Sequence, residues 1–282
     1  MYRADLLKGR HALITGGGTG LGKAMGVRFA ELGARVSVVG RRVGPLKETV
    51  EEIRAKGGEA FHTTCDVRDF EAVEKMIEAC EKAQGPIDTL VNNAAGNFIA
   101  RTEKLSANAF NAVVGIVLQG SFYCTLVMGR KWIAAKQPGN VLSISTTYAS
   151  SGSGSGYVVP SACAKAGVLA MTRSLAVEWA PYKIRLNAIA PGPFPTEGAF
   201  SRLLPSAALE ERARNDNPMK RFGKGEELAN LAVYLVSEES GYVNGECVVI
   251  DGGQWLKGAG EFNMFGELTE EGWAELEKAR KK

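Results

Sequence analysis

Short apolar runs of strand length alternate along the chain with stretches in which apolar residues recur at helical spacing. The runs predict seven strands, at 11–15, 35–39, 60–64, 89–92, 140–145, 185–189 and 247–250. The helical spacing between them is clearest at 23–32, 45–56, 71–83 and 161–179. Strands that alternate with helices predict an α/β fold, a Rossmann-like, doubly wound parallel sheet of seven strands with helices on both faces.

Length and composition agree with one globular domain. The chain has 282 residues, 45% of them hydrophobic and 23% charged, which is enough apolar material for a substantial core. We therefore predict a single domain over 1–282, with a C-terminal helical tail from about residue 266.

Charge and cysteine content exclude several classes of protein. Lys and Arg number 34 and Asp and Glu 31, a net charge of +3, which is too balanced for a protein that coats nucleic acid. The five cysteines are odd in number and at least fifteen residues apart, so neither a disulfide framework nor a thiolate zinc site is expected. The two histidines, His11 and His62, form no metal motif, and we expect no metal site.

The ends of the sequence show no recognisable targeting signal. Ten residues precede the first apolar run, without the apolar region of a signal peptide, and the last residues are not a peroxisomal signal. No stretch is expected to approach eighteen uncharged apolar residues, and we therefore predict no membrane-spanning segment. These features predict a cytoplasmic protein.

A glycine-rich segment follows the first predicted strand. It places Gly16, Gly18, Thr19, Gly20, Leu21 and Gly22 before a helix, an arrangement that lets backbone N–H groups approach a phosphate. Residues 17–23 also satisfy the G-x-x-x-x-G-K pattern of nucleotide triphosphatases. Ala24 stands where that motif needs a hydroxyl for magnesium, which argues against this alternative.

The ends of the second and third strands predict the cofactor. Arg41 and Arg42 occupy the place where an NAD site has an acidic residue, and two guanidiniums suit the 2'-phosphate of NADP. Asp66 follows the third strand, where it is placed to accept a hydrogen bond from the adenine amino group or to cap a helix.

Several motifs resemble one family. The T-G-x-x-x-G-x-G pattern of residues 15–22 is similar to that of the short-chain dehydrogenase/reductase family. Residues 92–98, 156–167, 191–193 and 198–202 resemble the mitochondrial-type 2,4-dienoyl-CoA reductases within it. The likeness runs from about residue 10 to residue 265. It implies NADPH-dependent reduction of a 2,4-dienoyl-CoA to a 3-enoyl-CoA in the β-oxidation of unsaturated fatty acids.

The catalytic segment departs from the common pattern of the family, Tyr-x-x-x-Lys. Ser161 stands four residues before Lys165, where the tyrosine is usual. The resemblance implies that Tyr148 and Asn97 donate hydrogen bonds to the thioester oxygen, that Lys165 holds the nicotinamide ribose and that Ser161 supports it. Tyr157 is the rival phenol, because the Ser/Gly loop at 150–156 is about two residues longer than in the family.

The resemblance also implies wider contacts. Further cofactor contacts fall on Val67, Asn93, Pro191, Gly192 and Phe194, and acyl-CoA contacts on Arg68, Phe98, Ser106 and Arg202. Helices near 107–120 and 161–179 serve as oligomer faces in the family, which suggests a homotetramer. At Gln119 the superfamily usually has Asn, which helps a water relay reach the lysine, so the relay is in doubt.

Two alternative functions remain open at this point. One is a short-chain reductase of a ketone or 3-ketoacyl thioester, with Tyr157 as the acid. The other is a catalytically inert NADP-binding scaffold, which the missing tyrosine and Gln119 would suit.

Overall fold

One parallel sheet organises the molecule. The computed structural model describes residues 2–149, 154–196, 206–258, 263 and 268–274. Within these residues the sheet has seven strands in the order β3-β2-β1-β4-β5-β6-β7. The strands are β1 His11–Thr15, β2 Arg35–Gly40, β3 Glu59–Thr64, β4 Thr89–Asn92, β5 Gly139–Ile144, β6 Ile184–Pro191 and β7 Cys247–Ile250.

The predicted strands are confirmed, with bounds that differ by at most two residues. The largest difference is at the end of β6, which continues to Pro191 because that residue pairs with Ile250 of β7. The hydrophobic run ends at Ile189, before the backbone pairing does, so the pattern stops short of the strand.

Helices connect the strands on both faces. They are α1 Gly20–Glu31, α2 Val43–Ala55, α3 Phe70–Gln84, α4 Ala107–Val114, α5 Gly120–Ala135, α6 Val159–Glu178, α7 Ala207–Asp216, α8 Gly225–Val236 and α9 Gln254–Gly258. Helix α1 begins three residues earlier than the apolar spacing predicts, because the glycine segment itself forms its first turn.

Two apolar clusters hold the helices to the sheet. On one face, Ile14, Val38 and Ile144 pack with side chains of α1, α2 and α8. On the other, Leu90 and Val141 pack with α3, α5 and the end of α6. Both faces of the sheet are therefore covered, as a parallel sheet requires.

The strand order reverses between β1 and β4, which are neighbours in the sheet. Chain leaving β1 goes to one side and chain leaving β4 to the other, so a crevice opens at their carboxyl ends. Ligands of doubly wound sheets bind in this crevice.

The expectation about long apolar stretches was wrong for one segment. Residues Ala107–Ala135, which join α4 and α5 through the π-helical turn Gly115–Gln119, are long and apolar enough to cross a membrane by length and composition. More than half of its most apolar window, 56%, is buried inside the protein. The segment packs on α3, α6, β4 and β5, which is why it is apolar.

The predicted C-terminal tail is only partly visible. Residues 270–274 are helical. Residues 275–282, like 259–262 and 264–267, lie outside the described part of the chain.

Candidate active site

The turn after β1 packs four glycines closely against neighbouring parts of the chain. Gly16 and Gly20 have φ angles of +65° and +55°, which favour glycine. A Cβ on Gly22 would lie 2.3 Å from the carbonyl oxygen of Gly16, and one on Gly18 would lie 3.1 Å from Cβ of Pro45. Thr19 is the N-cap of α1, but its side chain makes no capping bond. The N-terminus of α1 is thus open to an anion.

Thr15 and Asn93 join this turn to the one after β4. The Thr15 hydroxyl accepts hydrogen bonds from the backbone N–H groups of Asn93 and Ala94, both at 3.0 Å. Asn93 Nδ2 donates to the carbonyl oxygens of Thr15 and Gly16, at 3.0 and 3.1 Å. Asn93 therefore fixes the glycine turn from behind.

A groove of about 320 Å³ runs from the glycine turn across the ends of the neighbouring strands. Arg41 and Arg42 line it at the end of β2, and both are exposed. Asp66 and Val67 line it after β3. Val67 is pressed against α5, since a Cβ on Gly120 would lie 2.5 Å from one of its methyl groups.

Asp66 is already paired. Arg68 Nε donates to Asp66 Oδ1 at 2.9 Å, Nη2 donates to Oδ2, and the backbone N–H of Arg68 donates to Oδ1 at 3.1 Å. The Arg68 guanidinium lowers the pKa of Asp66 from its ordinary value, with a smaller contribution from Arg41. The carboxylate is therefore held ionised at the edge of the groove.

Three polar side chains meet on the other side of the crevice. Tyr148 lies in the short turn Thr147–Ala149 after β5, and its hydroxyl oxygen is 3.0 Å from Ser161 Oγ. Asn97 Nδ2 donates to the same phenol oxygen at 3.4 Å. Asn97 is held in turn because its Oδ1 accepts from the N–H of Phe98 at 2.9 Å.

Lys165 lies one helical turn after Ser161 on α6, where Pro160 occupies the first turn. The residue is only 7% exposed, and Nζ donates a hydrogen bond to the carbonyl oxygen of Ile144 at the end of β5. Burial lowers the pKa of Lys165 to about 8, because the charged form loses its hydration.

These residues suit a dinucleotide. The glycine turn leaves no room for side chains beside the N-terminus of a twelve-residue helix. Two guanidiniums stand at the far strand end, and a buried ammonium lies where the crevice meets α6. The phosphates and a ribose of such a ligand each have donors of the right chemistry here.

Comparison with known proteins agrees with this geometry. A family model described as enoyl-(acyl carrier protein) reductase matches residues 16–254. A Bacillus subtilis protein named as a probable 2,4-dienoyl-CoA reductase that produces (2E)-enoyl-CoA is 49% identical over 86% of this chain and 96% of its own. The chain belongs to the short-chain dehydrogenase/reductase family.

Two further proteins extend the comparison of this short-chain reductase. A Caenorhabditis elegans protein named as a probable 2,4-dienoyl-CoA reductase that produces (3E)-enoyl-CoA is 44% identical, over 90% of this chain and 83% of its own. A solved structure from Agrobacterium tumefaciens, a candidate 2-deoxy-D-gluconate 3-dehydrogenase with NADP bound, is 33% identical with a TM-score of 0.81. The alignment covers 90% of this chain and all of that one. The chain is thus an oxidoreductase with the fold of a nicotinamide-cofactor enzyme.

The structure of this short-chain reductase separates the two candidate phenols. Tyr148 is half-buried and bonded to Ser161, whereas the Tyr157 side chain is 62% exposed. Tyr157 has a φ of +68°, and its carbonyl oxygen accepts from the N–H of Ala100 at 3.0 Å. Its backbone joins two loops while its ring faces solvent.

Gln119 does not face Lys165. It is exposed, and its Oε1 lies beside Gly115 together with the Arg68 side chain. The residue of this π-helical turn that is buried against α6 is Val117, which packs with Ala164 and Val168. The relay considered for Gln119 therefore has no side-chain amide on the lysine side of the turn.

The segment after β6 is fixed by close packing. A Cβ on Gly192 would lie 2.6 Å from Cβ of Asp251, and one on Gly223 would lie 2.4 Å from the ring of Phe194. Pro191 pairs with Ile250. The predicted nicotinamide-side residues Pro191, Gly192 and Phe194 are thus packed closely against the segments around Gly223 and Ile250–Asp251.

Three of the residues predicted to contact acyl-CoA lie in the described part of the chain, and each has partners of its own. Phe98 packs against the small cluster of α4 and α6. Ser106 is exposed and is the N-cap of α4, where its Oγ accepts from the N–H of Ala109 at 3.1 Å. Arg68 is engaged by Asp66, and Arg202 lies outside the described residues. The structure thus gives Ser106 and Arg68 local partners.

Two residues were missed by the sequence reasoning. Thr15 organises the turns after β1 and β4, and Thr196 lies 3.0 Å from the place of a Cβ on Gly20. Thr15 is a hydroxyl residue at the carboxyl end of β1, and that position was the available signal; Thr196 lies five residues after β6 and gave no such signal.

Proposed function

We propose that the protein reduces 2,4-dienoyl-CoA esters to 3-enoyl-CoA with NADPH. One observation carries the proposal: Tyr148 and Asn97 share a hydrogen bond beside Ser161, while Tyr157 faces solvent. Two neutral donors that converge on one point suit a carbonyl oxygen that becomes negative. The names of the Bacillus subtilis and Caenorhabditis elegans relatives support the same substrate class.

A bound NADPH supplies a hydride to the far carbon of the diene, which moves negative charge onto the thioester oxygen. The phenol of Tyr148 and the amide of Asn97 donate to that oxygen. Preorganised donors of this kind stabilise the charge because they need no reorientation as it develops. Ser161 holds the phenol in place through its hydroxyl, 3.0 Å away.

Lys165 and the arginines hold the cofactor in this proposal. The Lys165 ammonium donates to the nicotinamide ribose, and Ile144 fixes its position. Arg41 and Arg42 meet the 2'-phosphate, which favours NADPH over NADH. Asp66 accepts from the adenine amino group.

The position of the double bond in the product depends on a proton. Reduction at the far carbon leaves charge on the oxygen and on the second and fourth carbons of the chain. A proton on the second carbon gives the 3-enoyl product, and a proton on the fourth gives the 2-enoyl product. The relatives are named for both outcomes, and the motifs shared with the mitochondrial-type enzymes lead us to propose the 3-enoyl product.

The test is a reaction with a short and a long 2,4-dienoyl-CoA, each with NADPH and with NADH, followed by product identification by mass spectrometry and NMR. We expect turnover with NADPH and a double bond between the third and fourth carbons. A 2-enoyl product would keep the substrate class and correct the product. Absence of turnover with any dienoyl-CoA would refute the function.

A carbonyl reductase that uses Tyr157 and an inert scaffold are the competing functions. A panel of 3-ketoacyl thioesters in the same assay detects the first. Tight NADPH binding without turnover on any thioester would indicate the second. Cytoplasmic location, a role in β-oxidation and a homotetramer belong to our proposal and rest on the sequence alone.

A further inference from the structure

Three buried side chains beneath the crevice carry polar atoms that have no hydrogen-bond partner among the described residues. They are Asn92 Oδ1, Ser143 Oγ and Ser145 Oγ. Their residues are 3%, 0% and 3% exposed. A fourth such atom, Oδ1 of Asn140, lies at the amino end of β5 and is separate from this group.

The register of the sheet places these atoms together. Asn92 of β4 is opposite Ser143 of β5. Both side chains lie on the face covered by α5 and α6, because Leu90 and Val141, two residues earlier on each strand, pack in the cluster on that face. Neighbouring strands are about 4.8 Å apart, so one water molecule between them can bond both side chains.

The neighbours of Ser143 and Asn92 do not supply the missing partners. On the other side of Ser143, the facing residue of β6 is Ala188, whose methyl group is small. Asn92 Nδ2 donates to Thr125 Oγ1 of α5 at 2.8 Å. If the amide were turned round, its NH₂ group would lose that acceptor, so either orientation leaves one polar atom of Asn92 unpaired.

Lys165 binds the backbone next to one of these three residues, Ser145. Nζ of Lys165 donates to the carbonyl oxygen of Ile144, which lies in the peptide that joins Ile144 to Ser145. An ammonium has three N–H donors, and the described residues provide Lys165 with this single protein acceptor. The Lys165 ammonium therefore binds the carbonyl of the residue that directly precedes Ser145, whose buried hydroxyl is unpaired within the described part of the chain.

Buried polar groups in native proteins are paired with protein or with ordered water. We propose that Asn92, Ser143 and Ser145 hold a short chain of buried water molecules that ends at Nζ of Lys165, and that they act as positioning residues for this ammonium. The positioning role rests on the proposed function, in which Lys165 holds the cofactor ribose. The water site itself does not.

The direct test is a crystal structure of the protein without substrate. We expect ordered water within hydrogen-bond distance of both Asn92 Oδ1 and Ser143 Oγ, and a second water between Ser145 Oγ and Lys165 Nζ. Direct bonds between these side chains, or a dry gap, would overturn the proposal.

A stability measurement gives an independent reading. Removing a buried hydroxyl that has no partner stabilises a protein, whereas removing one that holds water destabilises it. We expect the melting temperatures of Ser143→Ala and Ser145→Ala to fall. The control is Thr172→Val, which removes a buried hydroxyl that bonds only the Val168 carbonyl of its own helix. A rise in both serine variants would contradict the water chain.

The positioning role has its own readout. We expect Ser145→Ala to weaken NADPH binding roughly tenfold, as for loss of one hydrogen bond in a network that contains a charge, and Ser145→Thr to restore it. NADPH binding is measured by fluorescence without any acyl-CoA, so the result stands whether or not the dienoyl substrate is correct. Equal affinity in Ser145→Ala and wild type would refute the positioning role.

Discussion

At the scale of single residues, the sequence leaves open which of two tyrosines supplies the phenol of the active site. Tyr148 and Tyr157 are both close in sequence to Lys165, and the longer Ser/Gly loop removes any fixed register between them. The choice depends on the backbone at Tyr157, where φ is +68° and the carbonyl bonds Ala100. A sequence does not show such a local conformation, because tyrosine rarely adopts it.

Replacing Tyr148 tests the assignment. We expect Tyr148→Phe to lower kcat/KM for a dienoyl-CoA roughly a hundredfold or more, because loss of one donor to a developing oxyanion costs about 2.7 to 4 kcal/mol. Steady-state kinetics measure this change. Tyr157→Phe makes the same chemical change on an exposed ring and should leave the rate unaltered; the opposite order would favour Tyr157 as the acid.

The ammonium of Lys165 should impose a pH limit. Burial lowers its pKa to about 8, so the free enzyme loses this charge as the pH rises through about 8. We expect kcat/KM for NADPH to be level below that pH and to fall above it. Steady-state rates measured from roughly pH 6.5 to 9.5 show this fall as the descending limb of the pH profile.

Lys165→Arg is the matched variant for this limb. Arginine keeps its charge throughout the range, so the variant should show a lower rate without the descending limb. A limb of unchanged position in Lys165→Arg would assign the titration to another group.

At the level of elements, hydrophobic periodicity was sufficient to locate each strand and four of the helices, α1, α2, α3 and α6. The pairing of Asp66 with Arg68 was not predicted. Asp66 and Arg68 are two residues apart, and their side chains meet because the chain turns between β3 and α3, where the Arg68 N–H also bonds Asp66. The sequence analysis placed Asp66 at the adenine and Arg68 at the acyl-CoA. The turn instead brings the two side chains together as an ion pair.

The end of β2 sets the choice between cofactors. We expect the double variant Arg41→Ala, Arg42→Ala to raise KM for NADPH by at least about tenfold, since loss of even one charge-assisted hydrogen bond costs about 1.5 to 3 kcal/mol. KM for NADH should change little, because NADH has no 2'-phosphate. Equal losses for both cofactors would mean that the arginines act on a shared part of the dinucleotide.

In the whole molecule, burial gives structural roles to polar residues whose roles the sequence does not show. His11 begins β1, is 0% exposed, and its ring contacts the Gly85 carbonyl at 2.8 Å and the Ser37 hydroxyl at 2.9 Å. The sequence excluded a metal motif for it but gave no other role. Its role depends on long-range packing between β1, β2 and the end of α3.

Burial lowers the pKa of His11, and this makes stability depend on pH. As the pH falls through about 6.5, the unfolded chain takes up a proton that the native ring takes up only at a lower pH. We expect the free energy of unfolding to fall over that range relative to His11→Gln, whose side chain does not titrate. Urea unfolding at several pH values measures the difference.

Asp88 does not disturb this comparison. Its pKa is raised by burial, and it accepts from the backbone N–H of His11 at 2.8 Å, a contact that His11→Gln retains. A constant stability difference between the two proteins would show that His11 is not the titrating group.

The hydrogen bond from the Ala100 N–H to the Tyr157 carbonyl fixes the chain after the Ser/Gly segment to the loop that carries Asn97. Changes in chain length between Ala149 and Gly154 fall before this anchor, and Ser161 follows it by four residues. The anchor therefore sets the place of Ser161 relative to Asn97 from the side of Tyr157, independently of the number of residues between Ala149 and Gly154.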